Sequence, residues 1–121
     1  FNLYNGKMGL EWIIEETNPD WVKLQVDFYW VMRANKIMPK DLINLAQGRF
    51  KLWHIKDMDP ITKDYTELGY GSIDYTMVLP EPKLSGLESY YLEQGGNYKL
   101  NSMDSARKSI DFFKKNIQKL I

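Results

Sequence analysis

Residues 50–57 read Phe50-Lys51-Leu52-Trp53-His54-Ile55-Lys56-Asp57. A short apolar run rich in aromatic and β-branched residues and closing on charge reads as a largely buried strand. Two other runs share the plan. Trp21-Val22-Lys23-Leu24-Gln25-Val26 ends in Asp27, and Leu87-Glu88-Ser89-Tyr90-Tyr91-Leu92 ends in Glu93-Gln94. Each is followed by polar loop residues and then by a helical pattern.

The helical patterns carry their own punctuation. Pro39 opens a stretch through Asp41-Leu42-Ile43-Asn44-Leu45-Ala46 with Gly48 beyond its end, the usual proline-early, glycine-late asymmetry. Ile73 to Leu79 predicts a short helix that Pro80 and Pro82 stop. Ser102 is the expected N-cap of the last helix, whose apolar face is Ala106, Ile110, Phe113, Ile117 and Leu120. Lys108, Lys114, Lys115 and Lys119 fall on its other faces. Met8 to Thr17 predicts a further helix, stopped by Asn18-Pro19-Asp20. The order is α followed by three β-α units, which favours an α/β fold with a parallel sheet.

Composition narrows the classes of function. The chain has 121 residues, 16 Lys+Arg against 16 Asp+Glu, and one histidine. Balanced charge argues against bulk electrostatic binding of nucleic acid or acidic membrane. There is no cysteine, hence no disulfide framework and no zinc–thiolate site. This fits the cytoplasm first, and the periplasm or secretion second. No apolar run approaches the roughly 18 residues of a membrane span, so no membrane partner is expected.

The chemistry-bearing residues are those that end the runs: Asp27, His54 and Glu93. Right-handed βαβ connections bring the carboxyl ends of parallel strands to one side of the sheet, where α/β folds bind ligands. Two carboxylates and an imidazole suit a divalent ion such as Mn²⁺, Mg²⁺, Co²⁺ or Zn²⁺. Each residue also has an ordinary reading. Asp27 is equally a turn or cap residue, His54 a hydrogen-bonded core histidine, and Glu93 a solvated strand end.

The strings Val26-Asp27-Phe28-Tyr29-Trp30 and Gly48-Arg49-Phe50-Lys51-Leu52-Trp53-His54-Ile55-Lys56-Asp57 resemble the sugar phosphate isomerase/epimerase family with the xylose isomerase-like barrel. Leu68-Gly69-Tyr70-Gly71-Ser72-Ile73-Asp74-Tyr75 is similar to that family's glycine-rich loop, and Tyr91-Leu92-Glu93-Gln94 to its final strand. The resemblance implies a (β/α)8 TIM barrel with a divalent metal at the strand ends. Asp27, His54 and Glu93 match three of its ligands, and the fourth belongs to an earlier strand. Such a barrel takes about 250 residues. Residues 1–121 are therefore expected to be its C-terminal part, the last three β/α units with a preceding helix and without the N-terminal strands.

The implied activity is metal-dependent isomerisation or epimerisation of a sugar or sugar phosphate, by proton transfer next to a carbonyl through an enediolate. Glu93 would be both ligand and acid/base, with its partner glutamate on another strand, so that the chain alone is expected to be inactive. Arg49, Lys56 and Asp57 are candidate substrate contacts, although each also has an ordinary reading as a surface, solvated or capping residue. Trp30 stands where ketose epimerases carry a substrate-contacting histidine, and reads as a sugar-stacking platform or as core packing. Metal-dependent hydrolysis or lyase chemistry on the same barrel, and a non-catalytic carbohydrate-binding module, are the alternatives. An open part-barrel is also expected to self-associate or to pair with its missing portion.

Overall fold

The computed structural model describes all residues, Phe1–Ile121. Its elements run β1 (Leu3–Tyr4), β2 (Lys7–Met8), α1 (Gly9–Glu16), β3 (Leu24–Asp27), α2 (Phe28–Ala34), α3 (Pro39–Asn44), β4 (Phe50–Ile55), β5 (Asp57–Met58) and β6 (Tyr65–Thr66). They continue with α4 (Tyr75–Val78), α5 (Pro82–Ser85), β7 (Ser89–Leu92) and α6 (Ser102–Phe112). The central sheet has three strands in the order β3-β4-β7, both pairs parallel. The chain is thus mixed α/β, with helices between consecutive parallel strands. Each outer strand, β3 and β7, has one edge without a neighbour.

The sheet is covered unequally. Val26, Trp53 and Ile55 are buried on the helix side, and Phe28 stacks edge-on against both Trp53 and Tyr75. These residues belong to one continuous apolar core that also takes Leu42 and Ile43 from α3 and Phe113 and Ile117 from the C-terminal segment. Period-two alternation sends Gln25, Asp27 and His54 to the opposite side, which the helices leave open. On β7, Ser89, Tyr90 and Tyr91 are exposed.

Several elements differ from the sequence expectation. The strand read from Trp21 begins at Leu24, because Trp21 and Val22 turn back to donate to the Asn18 carbonyl. Residues 28–34 form α2 directly after β3, since the Asp27 side chain accepts from the Trp30 N–H and caps the helix. Pro82 opens the short helix α5, and α4 ends at Val78, ahead of Pro80. Asn101, not Ser102, caps α6. The buried stripe of α6 runs through Ser105 and Ser109 to Phe113 and Ile117, while Ala106 and Ile110 are exposed. The cause is the fully buried Glu67, whose carboxylate accepts from the Ser105 hydroxyl at 2.6 Å and from the Lys99 N–H at 2.8 Å. At the N-terminus, Asn5 and Gly6 both take positive φ (52° and 83°) and make the two-residue turn between β1 and β2.

Candidate active site

The parallel register sets the site out in two rows. Asp27 on β3 lies opposite His54 on β4, and His54 lies opposite Tyr91 on β7. One pleat further on, Lys56 follows β4 and Glu93 follows β7, with the Glu93 N–H bonded to the Ile55 carbonyl at 3.1 Å. Side chains two residues apart share a face. Asp27 and His54 therefore meet Lys56 and Glu93 at the carboxyl end of the sheet.

The contacts are direct. His54 Nδ1 lies 2.6 Å from Glu93 Oε2 and 3.8 Å from Asp27 Oδ2. Lys56 Nζ lies 2.8 Å from Asp27 Oδ2 and 3.2 Å from Glu93 Oε2. Its side chain is 6% exposed, whereas that of Glu93 is 43% exposed and opens the cluster to solvent. Burial alone would depress the lysine pKa; the hydrogen bonds and charges of Asp27, then Glu93, outweigh it and raise the value above that of an ordinary lysine.

Asp27 carries two tasks on separate oxygens. Its Oδ1 accepts the Trp30 N–H at the start of α2, and its Oδ2 faces Lys56 and His54. The cap and the strand-end reading thus coexist.

Aromatic rings frame the mouth. Tyr91 meets the His54 ring edge-on at 5.5 Å, and the Lys56 ammonium lies 5.7 Å from the centre of the Tyr65 ring. Tyr65 in turn packs on Tyr29 and, edge-on, on Trp30, which is 48% exposed. Trp30 therefore sits at the rim of the cluster, linked to it through Tyr65 and through its backbone bond to Asp27.

The structure does not bring Arg49 or the Asp57 carboxylate to this cluster. Arg49 precedes β4, at the opposite end of the sheet. It is buried, and its guanidinium donates to the carbonyls of Ile14 and Val22 and to the Thr17 hydroxyl. Asp57 follows Lys56, but its carboxylate accepts backbone N–H groups of Met58, Gly69, Gly71 and Ile73. It thereby organises the glycine-containing loop. A Cβ on Gly71 would lie 2.0 Å from Asp57 Oδ1, which explains glycine there.

Sequence reasoning gave no role to three tyrosines that shape the site. Tyr65 and Tyr91 are the rings just described. Tyr75 is buried, and its hydroxyl accepts from the Lys56 N–H and donates to the Lys56 carbonyl, fixing the backbone that carries the ammonium. Burial, and then the charge of Asp57, push this phenol well above its usual pKa, so it stays a neutral donor–acceptor. The signal for Tyr91 was present in the alternation with Glu93. Tyr65 and Tyr75 reach the site across loops, where spacing carries no information.

By type the donor set suits a divalent ion, although as placed no three of the His, Asp and Glu side chains form a metal-holding group, and the Lys56 ammonium lies between the two carboxylates instead. Two carboxylate oxygens and an imidazole nitrogen are ligands that Mn²⁺, Mg²⁺, Co²⁺ and Zn²⁺ accept. Atoms held about 2.0–2.2 Å from one ion stand about 3 Å from each other. The separations of 2.6 and 3.8 Å from His54 Nδ1 depart from that spacing in opposite directions. Beside Glu93, a cleft of about 160 Å³ runs between the end of β7 and α6. Leu92, Gln94, Ala106 and Ile110 line it; Asp27, His54 and Lys56 do not.

No protein-family profile matches this sequence, and no curated protein matches it. No helix is long and apolar enough to cross a membrane.

Proposed function

We propose that the chain carries three β/α units of a (β/α)8 barrel of the xylose isomerase-like type. On this reading, Asp27, His54 and Glu93 are ligands of a divalent ion in a sugar or sugar phosphate isomerase or epimerase. The observation that supports it most is the approach of both Asp27 and Glu93 to within 3.8 Å of His54 Nδ1, on the open side of a parallel sheet. Parallel strands with intervening helices are also the way that barrel is built, one strand and one helix to each repeat.

The ion, when bound, would polarise the carbonyl and hydroxyl oxygens of the sugar. The chain's own residues do the rest. The Glu93 carboxylate, the more exposed of the two, takes the proton from carbon next to the carbonyl. His54 would hold the ion beside the Glu93 carboxylate. Asp27, tied to α2 by its other oxygen, keeps its position while the substrate enters. Trp30 and Tyr91 present apolar ring surface at the rim, which suits the C–H faces of a sugar. The group that returns the proton belongs to another strand of the barrel.

The test is calorimetric titration of Mn²⁺ into the protein and into the Asp27→Ala, His54→Ala double variant, both checked for folding by circular dichroism. The wild-type chain should bind one ion and the double variant should lose at least a hundredfold in affinity. Equal affinities would sink the metal-site reading.

A further inference from the structure

Resting on that reading of Asp27, His54 and Glu93, we propose that Lys56 is an internal counter-cation whose ammonium and the divalent ion are alternative occupants of one position. The ammonium spans Asp27 Oδ2 and Glu93 Oε2, at 2.8 and 3.2 Å, and these are two of the three atoms that would hold the ion. Two carboxylates brought together without a cation repel each other, and a buried ammonium without an anion is strongly disfavoured. Each half of the cluster therefore answers a need of the other.

A divalent ion bound to the same oxygens would stand within a few ångströms of the ammonium, with three positive charges facing two carboxylates. Entry of the ion thus requires the lysine head group to leave. The surroundings permit that movement and confine it to the side chain. Tyr75 holds both backbone polar groups of Lys56, so the strand end stays in place. The Tyr65 ring lies 5.7 Å from the ammonium, on the side where Trp30 opens to solvent, and a displaced cation can rest against an aromatic face. Displacement would carry the positive charge from the carboxylates to the rim, where an anionic or hydroxyl-bearing substrate arrives. The lysine keeps the ligands assembled without metal and sets a threshold that the ion must exceed.

The prediction is that removing the ammonium tightens metal binding. Mn²⁺ affinity is measured by calorimetry for the wild type, Lys56→Met, Lys56→Gln and the Asp27→Ala, His54→Ala double variant, with thermal melting of each after EDTA treatment and at saturating Mn²⁺. Lys56→Met and Lys56→Gln should bind Mn²⁺ at least tenfold tighter than wild type. They should melt lower than wild type in EDTA and gain more on adding the ion. Unchanged or weaker affinity in a folded Lys56 variant, with the double variant still losing binding, would overturn the competition and leave the metal site standing. Wild-type affinity in the double variant would remove the metal site and the competition with it. Lys56→Gln retains polarity and hydrogen bonding, so it keeps the test decisive if Lys56→Met fails to fold.

Discussion

Strand β4 has a buried cation at each end, and the two are satisfied in opposite ways. Arg49, just before the strand, gives its hydrogen bonds to neutral oxygens: the carbonyls of Ile14 and Val22 and the hydroxyl of Thr17. Lys56, just after it, lies between two carboxylates. The partners of Arg49 are mostly main chain. Ile14 sits in the last turn of α1, where carbonyls have no helical partner and where α1 supplies no basic residue of its own. Arg49 completes that helix and ties it to the sheet. Only side chains hold Lys56, and side chains can exchange one cation for another. A planar guanidinium in a carbonyl cage is built to stay; a flexible ammonium between carboxylates is built to be replaced.

The largest expected effect breaks the first of these ends. Arg49→Met leaves two part-buried carbonyls without their donor and takes one partner from the Thr17 hydroxyl, at a cost on the order of 3 kcal/mol. For a domain of ordinary marginal stability this is a large fraction of the total. The urea midpoint should fall accordingly, while Mn²⁺ affinity of the folded variant should change less than twofold. A comparable loss of metal affinity would mean that the two ends of β4 are not independent.

A middle-sized effect tests what anchors the Lys56 end. Tyr75→Phe removes the hydroxyl that serves both the N–H and the carbonyl of Lys56. The expected cost is about 2 kcal/mol, because both groups are left buried and unpaired. Hydrogen exchange at the Lys56 amide should accelerate far more than at the Trp53 amide in the core of the strand. Retained protection at Lys56 would show that another group holds the strand end.

The same contrast explains what could be read from the sequence. Asp27, His54 and Glu93 were legible because each ends an apolar run, and a parallel sheet carries such positions to one edge. Arg49 was not, because its partners are backbone atoms 27 and 35 residues away, which no side-chain pattern announces. Helix α2 was hidden by its composition. Phe28-Tyr29-Trp30-Val31 is as β-prone as the strand before it, and only the cap from Asp27 turns it into a helix. The C-terminal helix was legible as a helix but rotated in its orientation. Periodicity put Ala106 and Ile110 on the apolar face, whereas Glu67 and the Leu68 N–H draw the Ser105 and Ser109 hydroxyls inside. Asn5-Gly6 is itself a hairpin-turn pair, and it forms one just ahead of the helix read from Met8. Buried polar partnerships, more than missing apolar signal, set the limit.

Glu67 gives the smallest expected effect and the finest test of the contrast, since it is a buried charge held like Arg49 but titratable. Burial would raise its pKa. The Ser105 hydroxyl, the N–H groups of Glu67 and Lys99, and the Thr66 hydroxyl together outweigh that and lower it below the ordinary value of 4.5. A carboxyl whose native pKa is depressed contributes stability that is present above its unfolded pKa, near 4.5, and lost as pH falls through the native one. In Glu67→Gln, the retained side-chain carbonyl can still accept from Ser105 and Lys99, so the cost at pH 7 should be only about 1 kcal/mol. That difference from wild type should shrink as urea unfolding is repeated from pH 6 down to pH 3. Its partners are neutral dipoles, so added salt should leave the difference at pH 7 nearly unchanged, as screening acts on paired charges. A strong salt dependence would place an unrecognised cation against Glu67 and move it from the Arg49 kind of site to the Lys56 kind.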